Sequence, residues 1–167
     1  MSNITVTLPD GSQTTVARGA TPLEVARSLS ARLAREAVVA RVDGELYDLT
    51  RPLESDARLE ILTKDHPEAL EVLRHSAAHL LAAAVVELFP GTKLGIGPAT
   101  ENGFYYDFQK DPPFTEEDLK KIEDKMWELQ SRDLPFERRL VPKDEGLKKY
   151  AALGETRRAI EFYEQYL

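Results

Sequence analysis

The chain has 167 residues, 42% of them apolar, with ten prolines and nine glycines, so it can bury a real core in one large domain or two small ones. A formal net charge of −7 excludes a general nucleic-acid coating, which needs a broad basic surface, although basic residues gather between Lys120 and Arg158. With no cysteine, the chain can build neither a disulfide framework nor a cysteine-based metal site from its own residues.

The N-terminal stretch "ITVTLPDGSQTTV" alternates around an Asp-Gly turn and predicts a hairpin of Ile4 to Leu8 with Gln13 to Val16. "GATPLEVARSLSARLA" predicts a helix capped by Thr21, opened by Pro22, and carrying Leu23, Ala26, Leu29 or Ser30, and Leu33 on one face. "AVVARVDGELYDL" gives two strands around Asp43-Gly44, and "ARLEIL" a last one ending near Leu62. The order β-β-α-β-β-β over residues 1–62 predicts a mixed sheet wrapped over one helix, a ubiquitin-like β-grasp, with no catalytic cluster in it.

The polar join "TKDHPE" leads into a second unit, residues 66–167. Its first helix, roughly Pro67 to Phe89, is apolar on nearly every side from Ala77 onward, which places it at the centre of its domain. Pro90-Gly91 stops it. The most apolar run, Leu80 to Phe89, is too short to span a bilayer and contains Glu87, and the N-terminus has no signal-peptide pattern. No membrane association is expected, and a soluble, cytoplasmic protein follows.

Next come a strand, a turn at Asn102-Gly103, and an aromatic strand from Phe104 to Phe108. Thr115 caps a helix through "EEDLKKIEDKMWELQ", with Asp118 three residues on and Leu119, Ile122, Met126 and Leu129 on its buried side. "PFERRLV" predicts a strand, "KDEGLKKYAAL" a short helix ended by Gly154, and "GETRRAIEFYEQYL" a terminal helix. The whole is α+β: a β-grasp unit followed by an α/β unit.

Two of the three histidines, His75 and His79, lie four residues apart in this apolar helix, so both imidazoles project from one face. Either they are buried and satisfied, or they face a site. The spacing is not His-Glu-x-x-His, so a metalloprotease is excluded. No cofactor is expected. Zinc at His75 and His79 is the weaker reading, since two imidazoles leave the ion short of ligands with neither cysteine nor a nearby third histidine available.

The stretch "RHSAAHLLAAAVVELFPGTKLGIGPATENGFYYDF" resembles the N-terminal region of threonyl-tRNA synthetases. That region begins with a β-grasp TGS domain and continues into an editing domain opened by an R-H-S-x-x-H-L/V helix. The signature here is Arg74, His75, Ser76, His79 and Leu80, followed by Gly95-Ile96-Gly97-Pro98 and Asn102 to Asp107, and "EEDLKKIEDKMWEL" and "LGET" extend it over nearly the whole chain. The resemblance implies hydrolysis of threonine-specific tRNA mischarged with serine. It implies catalytic roles for His75 and His79, and substrate- or tRNA-binding roles for Ser76, Tyr105, Asp107 and Arg158. The rest of the synthetase is expected in the same polypeptide.

The sequence departs from the family pattern in two places. The family completes its editing site with a Cys-x-x-x-His half that this stretch lacks, and it places a lysine where "GETRR" has Arg158, which keeps the charge but cannot lose its proton. The alternative is a non-catalytic tRNA-contacting or partner-binding appendage with an incomplete pocket. The residues also admit plain packing for Phe104, Tyr105, Tyr106 and Phe108. Gly95, Gly97 and Gly103 read as turn or close-approach positions, and Asp107 can orient a histidine or end the strand.

Overall fold

A computed structural model describes residues 2–134 and 139–152. The chain divides into two compact units, Met1–Arg74 and a second beginning at His75.

In the first unit, β1 (Asn3–Thr7) and β2 (Gln13–Ala17) form the expected antiparallel hairpin, Ile4 opposite Val16 and Thr7 opposite Gln13. The connection is a three-residue loop. The Leu8 N–H donates to the Ser12 carbonyl at 2.9 Å and the Gly11 N–H to the Leu8 carbonyl at 2.9 Å. Gly11 takes a left-handed φ of 82°, a geometry a side chain resists.

The helix expected from Thr21 divides into α1 (Pro22–Leu29) and α2 (Ala31–Glu36). Thr21 and Glu24 close a reciprocal capping box, which sets the helix phase so that Pro22, Val25 and Ala26 are buried while Leu29, expected inside, is 44% exposed. Ser30 is extended, with φ −164° and ψ 130°, and its hydroxyl accepts from the N–H groups of Arg32 and Leu33. It ends one helix and caps the next, the competition with helical bonding that serine brings to a chain.

β3 (Ala37–Val42) and β4 (Glu45–Tyr47) flank Asp43 (φ 51°) and Gly44 (φ 95°), a two-residue loop whose positive φ values match the twist of a hairpin. With β5 (Ala57–Thr63) the sheet order is β2-β1-β5-β3-β4, β1 and β5 running parallel and the other pairs antiparallel. This is the predicted β-grasp arrangement. One face packs Ile4, Val6, Ala40, Leu53 and Leu59 around Val25 of α1.

The other face is also covered. Val39 and Leu62 pack with Ala69 and Val72 from the start of α3 (Pro67–Leu88), which opens in this unit and runs on into the second. Arg41 reaches Glu60 on β5 and Glu68 in the first turn of α3, so that turn is held by charge as well as by packing. The third histidine, His66, belongs to the same junction: its Nδ1 accepts from the Glu68 N–H at 3.3 Å.

In the second unit Ala84 and Val85 of α3 meet Ile122 and Leu129 of α4 (Glu116–Ser131), with Leu80, Leu81, Phe89, Phe108, Phe114 and Met126 packed around them. Thr115 and Asp118 form the expected capping box of α4. Leu119, expected on the buried side, is 58% exposed, and Trp127 is 66% exposed. Glu87 on α3 and Glu128 on α4 bind Lys125 and Arg132, so the helix pair is clamped beside its apolar seam.

Before α4 come four two-residue strands: β6 (Lys93–Leu94), β7 (Ala99–Thr100), β8 (Gly103–Phe104) and β9 (Phe108–Gln109). β6 pairs with β9 and β7 with β8. The continuous aromatic strand expected from Phe104 to Phe108 is interrupted. Asp107 accepts from the Gly95 N–H at 2.8 Å and donates to the Ile96 carbonyl at 2.9 Å, two residues against one, and such a bulge re-aims the chain on both sides.

Of "PFERRLV", Arg139 to Val141 lie outside regular structure and the first four residues fall outside the described set. α5 (Lys143–Ala152) forms as expected, while the terminal helix expected from Gly154, Arg158 included, lies outside the described residues.

The apolar run from Leu80 belongs to a 22-residue helix that has the length and composition of a membrane span. Ala78, Ala82, Ala84 and Val85 are buried and Arg74 and three glutamates punctuate it, yet only 28% of its apolar window is buried among the described residues, with Leu70, Leu73 and Val86 exposed, so the helix is less covered than the central position expected of it.

Candidate functional site

α3 places both imidazoles on one face, and the structure brings them into contact. The Nε2 atoms of His75 and His79 are 3.1 Å apart, with the ring centroids 4.6 Å apart and the planes at 89°. At that distance one Nε2 carries the proton and the other accepts it, so the pair shares a single hydrogen between two basic nitrogens. Both side chains are exposed, as is Ser76 beside them. The pair is therefore solvent-accessible and wall-like rather than sealed in the core.

His79 is a weaker base than an ordinary imidazole. Its partial burial pushes its pKa below the ordinary imidazole value, and the neighbouring His75 pushes it further down, because two positive rings in contact repel. His79 is thus neutral, and able to take a proton, over more of the physiological range than a free imidazole. An NMR titration is expected to show His79 with a depressed midpoint, and His75→Ala is expected to return it part of the way, since burial stays. An unchanged midpoint in that variant would mean that the two rings do not communicate.

The remaining candidates sit on the bulged hairpin. Tyr105 is 48% exposed and Asp107 is exposed, its backbone occupied on both sides by the bulge. Among the described residues no hydrogen bond, ion pair or ring contact joins either of them to the histidines. Tyr106 turns the other way and stacks on Phe108, centroids 4.8 Å apart and planes 19° apart.

The close approach expected at the glycines is specific to two of them. A Cβ at Gly95 would lie 2.8 Å from the Asp107 Cβ, and one at Gly97 would lie 2.1 Å from the Tyr106 ring, whereas Gly103 has open space around it. Gly97 therefore lets a tyrosine ring lie against bare backbone. Among the described residues, no three histidine, cysteine, aspartate or glutamate side chains gather as metal ligands.

Comparison with known proteins bears on the identity of both units. A family model described as the TGS domain matches residues 4–63. Over 156 residues, 93% of this chain, the sequence is 49% identical to a threonine--tRNA ligase of Maricaulis maris. It is 51% identical over 155 residues to one from a Geobacter species, and 45% identical over 196 aligned positions to that of Acidobacterium capsulatum. The chain carries a TGS domain and matches the N-terminal part of threonine--tRNA ligases.

It spans about a quarter of the length of these relatives: 24% of the Maricaulis and Geobacter proteins and 29% of the Acidobacterium one. The TGS domain accounts for the β-grasp sheet. The likeness to the ligases continues past it through the α3 histidine pair and the bulged hairpin.

Proposed function

We propose that the unit built around α3 is part of an editing domain of a soluble, cytoplasmic threonine--tRNA ligase, and that His75 and His79 form one wall of a site hydrolysing serine from threonine-specific tRNA. The observation that carries this is the contact pair itself: two imidazoles with Nε2 atoms 3.1 Å apart, exposed, on a helix that the ligase likeness covers.

The need for such a site is energetic. A pocket built for threonine excludes serine only through one absent methyl, worth about 1–3 kcal/mol, so a second pocket that admits the smaller product raises fidelity. Water adds to the ester carbonyl, its proton passes to the neutral imidazole, and the ribose oxygen leaves with a proton to give free serine and uncharged tRNA. His79, held neutral, suits the acceptor role. His75 gives its proton to the leaving oxygen and recovers one from His79 across the Nε2 contact, so both rings end neutral. Tyr105 and Asp107, exposed on the bulged hairpin, and Ser76 beside the pair are assigned to binding the terminal nucleotide, as is Arg158.

The exposure of both rings favours a pocket completed by residues further along a ligase polypeptide, which would also supply the synthetase core. It leaves as the second reading a tRNA-contacting appendage without hydrolysis. The test is a deacylation time course on seryl and threonyl forms of the same tRNA. It compares this chain with one extended through the Cys-x-x-x-His half of a relative. Hydrolysis confined to the seryl form and to the extended chain is the expected result. Tight tRNA binding without hydrolysis in either chain would establish the appendage.

A further inference from the structure

We infer that His75 and His79 together form a chelating site for a borderline divalent cation of the first transition row, with Cu2+ and Ni2+ bound more tightly than Co2+ or Mn2+. The site uses the same two nitrogens as the hydrolytic reading but stands on their geometry, whether or not the pair hydrolyses. Imidazole nitrogen bonds such ions at about 2.0–2.1 Å. Two nitrogens 3.1 Å apart then subtend about 100° at the metal, between the right angle of tetragonal Cu2+ or Ni2+ and the tetrahedral angle of Zn2+. The helix backbone therefore already holds the donor atoms at chelating separation.

Binding needs no change in the charge of the pair. When the metal takes both Nε2 lone pairs, the shared proton moves to Nδ1 of the ring that carried it, and each ring stays a neutral ligand. Exposure of both rings leaves the ion's other positions to water, so the site is open rather than structural. An imidazole whose Nε2 is on a metal cannot accept a proton from water, so the metal-bound and base-catalytic states of the pair exclude one another.

The test uses the tag-free chain, titrated with CuCl2 and with NiCl2 by calorimetry, and with Cu2+ in the visible, where imidazole-nitrogen ligation shifts the absorption band. Single variants His75→Gln and His79→Gln reduce the chelate to one ligand, and His66→Asn removes the third histidine while keeping a residue that caps helices well. Circular dichroism confirms that each variant is folded.

The expected result is one equivalent of metal, with affinity at least 10-fold weaker in each of the His75 and His79 variants and unchanged in His66→Asn, and with Cu2+ tighter than Ni2+. Affinity that survives both single variants, or that is lost only in His66→Asn, overturns the site. Deacylation does not enter this readout, so a failure of the hydrolytic reading leaves the metal result interpretable.

Discussion

Gly97→Ala is expected to destabilise the second unit by about 1–3 kcal/mol, the cost of forcing extra volume into a filled space. The added Cβ would sit 2.1 Å from one atom of the Tyr106 ring and within 2.9 Å of two more, far inside contact distance. The ring has little freedom to yield. It stacks on Phe108, which in turn meets Phe114 edge-on at 5.9 Å and belongs to the α3–α4 core.

For a unit of this size, that loss corresponds to roughly 4–8 °C in melting temperature per kcal/mol. Gly103→Ala is the control, since a Cβ there meets nothing within 4 Å. Thermal unfolding followed by circular dichroism should show Gly97→Ala melting well below Gly103→Ala. Tyr106→Ala in the same background should recover part of the difference, because it removes the other half of the clash. Equal melting temperatures for the two alanine variants would mean that the tyrosine ring does not lie on Gly97.

Local chemistry explains which features the sequence made legible. Asp43-Gly44 and the Thr115/Asp118 box were readable because each needs only residues within three positions of one another. Ser30 was not. Periodicity alone continues a helix through serine, and what breaks it is the hydroxyl's two bonds to the N–H groups ahead.

The aromatic strand failed for a related reason, since alternation of side chains is blind to a bulge, and Asp107 opposing both Gly95 and Ile96 shifts every residue beyond it. The first unit reads as closed at residue 62 because "TKDHPE" is polar. Its packing extends to Ala69 and Val72, which cover Val39 and Leu62 on the second face of the sheet. At the site, i and i+4 spacing put His75 and His79 on one face, but their side-chain torsions, and hence the 3.1 Å contact, are not written in spacing.

Replacing both His75 and His79 with alanine is expected to lower seryl-tRNA hydrolysis by about 10²–10⁴-fold in a chain extended far enough to deacylate, the usual worth of a positioned acid–base group. Both side chains are exposed, so the fold should survive the change, and a loss of rate cannot then be charged to unfolding. The pH profile separates chemistry from support. A base acts in its neutral form, so the rate should climb with pH and level off once His79 has lost its proton. With its pKa depressed by burial and by His75, the midpoint of that rise should lie below the ordinary imidazole value of about 6.5. His75→Ala alone removes the repulsion but not the burial. It should therefore move the rising limb to higher pH as well as lower the plateau, a displacement that a merely structural histidine would not produce. Rates measured from pH 5 to 8 on the extended chain, the single variant and the double variant decide the matter. A double variant that hydrolyses seryl-tRNA at the parent rate would return the pair to a packing role, and an unmoved limb in His75→Ala would take the proton-accepting task away from His79.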